Sequence, residues 1–331
     1  MKVERRLTMR VFLTGGTGFV GSHVAEVLQD AGHEVVALVR ESSDVRHLSA
    51  LGVEQVVGSM GAPEALLEVL KGCEVVIHVA GMTTGKSPQE LFEVNGAGSG
   101  KLAQVAAEAG VGRFIYVSST AAQGPGQGRE PRPRGLRPEP VSHYGRSKLM
   151  GEGAVLAVRE QMGVTILRPP PVYGPRDRDM FQVFQLAKFG VGPVLGDGSR
   201  WLSVIHVHDV ARAALRCLED EGTANIYTVD DGGRYTWRDL TRIVGEAVGR
   251  RPVHLPIPQV LFGAAAVLSE VGGKMVGATP IFNTDKYAEM SQQSWVCGHE
   301  AIAEKLGWAP SLNLEEGARQ TAQWYREQGW I

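Results

Sequence analysis

Apolar and polar positions in the first half of the chain alternate between two textures. Short, nearly unbroken apolar runs fall at Arg10–Thr14, Glu34–Val39, Gln55–Gly58, Val75–Ala80, Phe114–Ser118 and Val164–Leu167. Between them lie stretches with helical spacing, among them Ser22–Ala31, Ala62–Lys71 and Gly98–Ala109. Runs that are apolar on both faces suit strands covered on both sides, as in a parallel sheet. Their alternation with helices predicts βαβ units. The expected class is therefore α/β, a doubly wound parallel sheet with helices on both faces.

After Leu167 the pattern breaks. The stretch "RPPPVYGPRD" supports neither a central strand nor a helix, because proline lacks the N–H that either ladder uses. The predicted division is a sheet-bearing domain at 9–171 and a smaller lobe at 172–204 and 231–331. Residues 205–230 return to the first domain, because "SVIHVHDVARAAL" and "ANIYTVDD" look like a strand–helix and a further strand. The segment "GREPRPRGLRPEPVSHYG" is expected to be a surface loop.

Bulk properties narrow the class. The 331 residues are enough for a large core, and 43% are hydrophobic and 21% charged. A formal charge of −2 gives no basic excess that would point to nucleic acid or to an anionic membrane. Three scattered cysteines, Cys73, Cys217 and Cys297, lack metal-ligand or disulfide-framework spacing and fit a reducing cytoplasm. The charged start Met1–Arg6 leads into no apolar signal-peptide core, and no apolar stretch is long enough for an integral membrane segment.

"TGGTGFVG" (Thr14–Gly21) directly follows the first predicted strand. Gly15 permits a tight turn, Gly18 lets the backbone approach a pyrophosphate, and Gly21 lets the helix pack near the strand. The helix N-terminus offers free N–H groups and a positive dipole end. The expected ligand is a dinucleotide. At the end of the second strand stands Arg40 rather than a carboxylate. A guanidinium favours a 2′-phosphate, so NADP(H) is expected over NAD(H). Arg40 could instead stack on adenine or face solvent.

"SHYGRSK" places Tyr144 and Lys148 one helical turn apart on one face. A nearby ammonium would favour the phenolate and lower the tyrosine pKa, giving a proton donor and acceptor. "RFIYVSST" ends a predicted strand in three hydroxyls, Ser118, Ser119 and Thr120. "EVNGAG" adds Asn95.

With "VVIHVAG", "RPPPVYGPRDRD", "GDGSRWLSVIHVHDVA" and "YTVDDGGRYTWRDL", these stretches run from about residue 10 to 240. Together they make the chain resemble an extended short-chain dehydrogenase/reductase of the epimerase/dehydratase superfamily. In character it is nearest the dihydroflavonol reductase and 3β-hydroxysteroid dehydrogenase-like members. The resemblance implies that Tyr144 is the acid/base, Lys148 its tuner and ribose contact, Ser119 the substrate-oxygen contact and Asn95 the support for a water relay. It implies cofactor contacts at Gly15, Thr17, Gly18, Phe19, Val20, Gly21, Ala80, Gly81, Pro169 and Val172. It also implies a homodimer packed through the helices around Gly98–Ala109 and Ser147–Val158.

Two positions depart from that pattern. Ser59 stands where many relatives carry an adenine-contacting aspartate, so adenine recognition falls to Ser59 or the Met60 backbone. Leu202 stands where nucleotide-sugar members carry a diphosphate-gripping arginine, although Arg200 is two residues away. Thr120, Met82 and Tyr173 are expected to face the substrate. His206 and His208, in an H-x-H-x-D string with Asp209, read as structural rather than metal-binding, and His78 as a core histidine. The apolar stretch Pro256–Leu268 reads as a packed lobe helix, with a lid or a membrane-touching surface as the sharper alternatives.

The expected activity is hydride transfer between NADP(H) and a bulky hydrophobic ketone or secondary alcohol. A nucleotide-sugar epimerase with tightly held NAD is the first alternative. A non-catalytic dinucleotide sensor is the second, and the intact Tyr144/Lys148 pair weighs against it.

Overall fold

The computed structural model describes residues 8–275, 280 and 282–331; the charged start Met1–Arg6 lies outside them. The chain opens with β1 (Arg10–Thr14), α1 (Phe19–Asp30), β2 (Glu34–Val39), α2 (Arg46–Ala50), β3 (Glu54–Val57), α3 (Leu67–Leu70) and β4 (Val75–His78). Then come α4 (Pro88–Leu91), a wide π-type turn at Phe92–Gly98, α5 (Ser99–Glu108), β5 (Arg113–Val117), α6 (Thr120–Gln123), α7 (His143–Leu156) and β6 (Gly163–Arg168). The apolar runs became strands because both of their faces are covered. Val11, Phe12 and Leu13 are fully buried, with Val11 and Leu13 in the core on one side of the sheet and Phe12 on the other.

The second half holds β7 (Val172–Tyr173), α8 (Phe181–Lys188), β8 (Val191–Leu195), β9 (Trp201–Leu202), β10 (Ile205–His206), α9 (Val207–Arg216) and β11 (Ala224–Thr228). It continues through β12 (Tyr235–Thr236), α10 (Trp237–Ala247), β13 (Val253–Ile257), α11 (Gln259–Met275), α12 (Thr284–Met290), β14 (Ser294–Trp295), α13 (Glu300–Leu306) and α14 (Leu314–Glu327).

Seven strands form one parallel sheet in the order β11-β6-β5-β4-β1-β2-β3. The fold is a Rossmann-like doubly wound sheet. The order reverses at β1, which pairs with β2 on one side and β4 on the other. That reversal opens a crevice at the carboxyl ends of the strands, where ligands bind in such sheets. Within 205–230, β10 pairs with β7 in a separate two-stranded sheet, β11 pairs with β6, and buried α9 residues share a core with α1.

One part of the second lobe packs elsewhere than the sequence suggests. Ile302, Leu306 and Trp308, in and just after α13, join the core of the large sheet. A buried carboxylate latches this return. Asp209 accepts from the Ser311 and Leu312 backbone N–H groups (3.0 and 3.1 Å) and from Ser311 Oγ (2.7 Å). The aspartate of the H-x-H-x-D string is therefore engaged in joining α9 to the segment before α14. His206 caps α9 through its ring nitrogen at His208 N (3.3 Å), and burial holds its pKa down to about 4. Among the described residues no group of three His, Cys, Asp or Glu could hold a metal ion. His78 is hydrogen-bonded on both ring nitrogens, to Thr14 Oγ1 (2.6 Å) and Ser99 Oγ (2.9 Å).

Candidate active site

The glycine loop is built for close approach. Gly15 has a φ of 75°, and a Cβ there would lie 2.6 Å from Ala80 N. A Cβ on Gly21 would lie 2.1 Å from Gly15 O, so only glycine lets α1 begin this near the turn. α1 has no side-chain cap and no acidic residue in its first turn. Its leading N–H groups are thus available to an anion, which fits a dinucleotide pyrophosphate. Thr17 and Gly18 are exposed, and Phe19 and Val20 are half-buried.

The other expected cofactor contacts follow the same sheet edge. Arg40, exposed, comes directly after β2, and its side chain has no hydrogen-bond or ion-pair partner among the described residues. Ser59 follows β3, where its hydroxyl accepts from Gly61 N (3.1 Å), and the Met60 side chain packs on the core. Ala80, Gly81 and Met82 follow β4; Thr120 N donates to Pro169 O (2.9 Å), joining the ends of β5 and β6. Val172 lies in β7.

Tyr144 and Lys148 sit on α7, whose N-cap Ser142 accepts from Gly145 N (2.8 Å). Among the three hydroxyls after β5, Ser119 is the one whose side chain acts on Tyr144, drawing its pKa down against burial, while Ser119 Oγ accepts from Ala121 N (3.1 Å). Ser118 Oγ instead donates to Glu152 Oε1 (2.6 Å), and Thr120 is buried. The alternation of a strand end explains the split, since successive side chains point to opposite faces.

Lys148, buried, donates to Val117 O (2.8 Å) and lies 4.4 Å above the centre of the Tyr116 ring. Burial lowers its pKa to about 7, against the pull of Glu152. The expected lowering of the Tyr144 pKa is not what this chain produces alone. Burial, with the negative charges of Glu289 and Asp179, pushes it upward, and the hydroxyl stays protonated through the neutral range.

Asn95 lies in the π-type turn, a widening that often marks functional positions. Its amide is fully engaged. Oδ1 accepts from Met82 N (2.8 Å), and Nδ2 donates to Met82 O (2.8 Å) and Ser147 Oγ (2.9 Å). A Cβ on Gly81 would lie 3.0 Å from Asn95 Oδ1 and 3.5 Å from Lys148 Nζ, which shows how tightly these three residues meet. Met82 is thereby pinned at the site. Tyr173 is not brought there. It is buried in the core of the second lobe, with its hydroxyl near Asn313 O (3.4 Å) and its ring edge-on to His206. The aromatic side chain after the proline run turns inward because the lobe needs a core.

Sequence reasoning missed four charged residues around α7. Glu152 continues the Tyr144–Lys148 stripe at the same four-residue spacing, a signal that was present in the sequence. It is paired with Arg168 at 2.8 and 2.5 Å. Asp285 accepts from the His143 and Tyr144 backbone N–H groups at 2.6 and 3.0 Å, a carboxylate at the positive end of α7. Glu289 accepts from Ser142 Oγ (2.7 Å). Both come from α12, far along the chain, with no local signal.

Wider comparison agrees with this geometry. A family model described as the NAD dependent epimerase/dehydratase family matches residues 11–229. The chain belongs to that family. It is 34% identical over 326 residues to a ceramide reductase of Caulobacter vibrioides, covering 97% of this chain and 96% of that protein. It is 27% identical to a decarboxylating sterol-4-alpha-carboxylate 3-dehydrogenase of Dictyostelium discoideum, covering 93% and 98% of the two chains. The solved UDP-glucose 4-epimerase of Thermotoga maritima with UDP-glucose superposes with a TM-score of 0.78 at 25% identity, covering 97% and 99%. The protein is thus an NAD(P)-dependent enzyme, with reductases, dehydrogenases and epimerases among the proteins of this family that it is similar to.

Proposed function

We propose that the protein is an NADP(H)-dependent oxidoreductase acting on a bulky hydrophobic ketone or the matching secondary alcohol. The observation that carries this reading is the placement of Ser119, Tyr144 and the buried Lys148 together at the carboxyl edge of the sheet, where Lys148 donates to Val117 O at 2.8 Å. In this reading the Ser119 and Tyr144 hydroxyls both serve a carbonyl oxygen, and the raised tyrosine pKa keeps a proton ready to give. Bound cofactor supplies the hydride for reduction, or takes it in the reverse direction. In reduction Tyr144 donates its proton to the carbonyl oxygen while Ser119 donates a hydrogen bond to it. Lys148 stabilises the phenolate left behind, and Asn95 holds Met82 and Ser147 in place. Arg40 reads the 2′-phosphate.

The second lobe favours this over nucleotide-sugar epimerisation. Leu202 is buried in the lobe core. Arg200 is tied to Leu195 O (2.8 Å), Ser291 O (3.3 Å) and Gln259 Oε1 (3.4 Å), bracing the lobe instead of offering a free guanidinium to a diphosphate. Two of the relatives, the ceramide reductase and the sterol dehydrogenase, are named for lipid substrates. A homodimer packed through α5 and α7 is part of the proposal, with exposed Met150 on its contact face. Calorimetric titration with UDP-glucose tests the substrate class: no saturable binding is expected, and micromolar affinity would overturn it.

A further inference from the structure

α11 has an arrangement that a water-facing helix does not normally show. One side packs inward: Ala266 is buried, and the Phe262 ring meets those of Phe282 and Tyr287 at 4.6 and 6.1 Å. The opposite side is also apolar, yet bare. Val260, Leu261, Val267, Leu268 and Val271 are all exposed, Val260 by 81% and Leu268 by 72%. A helix that is apolar all round is ordinarily covered all round. No helix among the described residues is long and apolar enough to cross a membrane. The bare stripe therefore suits a helix lying along an apolar boundary.

The apolar surface continues along the chain. β13 runs through Pro258 into α11 and exposes Val253 and Leu255. Its partner strand β8 follows Phe189, which is 78% exposed, and Val253 N donates to Gly190 O (2.9 Å). Phe189 and Val253 are therefore neighbours. Around them stand three exposed cations, Lys188, Arg250 and Arg251, none paired with a carboxylate among the described residues. The exposed carboxylate nearest in sequence, Glu246, is paired with Arg242 (3.1 Å).

We propose that this face docks the protein on an anionic lipid bilayer, with the stripe of α11, Leu255 and Phe189 entering the interface and Lys188, Arg250 and Arg251 meeting lipid phosphates. Charge supports a bilayer over a second copy of this chain. Unpaired cations beside an exposed aromatic suit anionic headgroups, whereas the same cations on a copy would repel. The bare stripe also carries no hydrogen-bonding side chain from Val260 to Leu268, where a protein interface normally places several polar contacts. Docking has a use that rests on the oxidoreductase reading. Glu270 of α11 lines a cavity of about 370 Å³ together with Lys86, Thr84, His143 and Asp285, beside the start of α7. A lipophilic ketone would reach that mouth from the membrane.

Vesicle flotation of the full chain tests this, using phosphatidylcholine with about a third phosphatidylglycerol against phosphatidylcholine alone. Binding to the anionic vesicles is expected to be at least about tenfold stronger, and to weaken with salt. The double variant Leu261→Ser/Leu268→Ser and the charge variant Arg250→Glu/Arg251→Glu should each lose about tenfold or more, with unchanged circular dichroism and NADPH binding. The proposal is overturned if the wild type does not float, or if both variants float like it. It is also overturned if Leu261→Ser/Leu268→Ser merely converts a dimer to a monomer without changing flotation. Flotation needs no turnover, so loss of docking and absence of ketone reduction are read separately.

Discussion

Glu152 and Arg168 are joined by two hydrogen bonds, 2.8 and 2.5 Å long, and the same carboxylate accepts from Ser118 at 2.6 Å. Both side chains are nearly or fully buried. The pair fastens α7 to the ends of β5 and β6, the elements that present Tyr144 and Ser119. Glu152→Leu leaves the guanidinium buried without its partner and should cost about 3–5 kcal/mol in chemical denaturation. Glu152→Leu/Arg168→Met should recover most of that loss, because neither charge is then stranded. A double variant no more stable than Glu152→Leu would show that the stranded guanidinium is not the source of the loss.

Lys148 gives a stability effect of opposite sign. Burial holds its pKa near 7, whereas the unfolded side chain titrates near about 10.4. Between those values the unfolded chain binds the additional proton, so this group's penalty is largest below pH 7 and fades as pH rises. The penalty is about 4 kcal/mol, against about 1–3 kcal/mol for leaving Val117 O without its donor. Lys148→Met should therefore raise Tm at neutral pH by a few degrees, lose activity, and show a shrinking gain as the pH approaches 10. Thermal melts across that range check the sign.

In the proposed reading, cofactor choice rests on Arg40. Its position after β2, with no side-chain partner among the described residues, would leave the guanidinium open to a 2′-phosphate. Arg40→Asp should weaken NADP binding by roughly tenfold to a hundredfold, about 1.5–3 kcal/mol, and improve the preference for NAD. Fluorescence titration with both cofactors measures it, and unchanged NADP affinity would remove Arg40 from the site.

Glu289 raises the Tyr144 pKa by its charge, second only to burial. Alcohol oxidation needs the phenolate and should climb with pH over the alkaline range. Glu289→Gln removes the charge while keeping an acceptor for Ser142, so the rising limb should move to lower pH. Ketone reduction, which uses the protonated tyrosine, should lack this alkaline limb and should instead fall as Lys148 loses its proton near pH 7. A pH–rate profile in both directions is the check.

Much of this site was legible in the sequence because local constraints fix it. The βαβ alternation survives in apolar runs, and a glycine forced by a 2.1 Å approach leaves a visible trace at Gly21. Tyr144 and Lys148 share a helix, so spacing alone pairs them. What was hidden depends on distant packing. Asp285 and Glu289 reach α7 from about 140 residues away. Tyr173 was expected to face substrate, but a two-residue strand has no periodicity to show which side turns inward. The stretch Pro256–Leu268 posed the opposite problem: its apolar residues suggested packing, yet only one side of α11 found a partner.

The most direct test of the central reading is net oxidation of NADPH by the purified chain with a bulky hydrophobic ketone, compared with Tyr144→Phe. The wild type should consume cofactor and ketone in equal amounts, and Tyr144→Phe should be slower by about 10²–10⁴-fold while still binding NADPH. Conversion of a UDP-sugar without net cofactor oxidation, or a Tyr144→Phe enzyme as fast as the wild type, would contradict it.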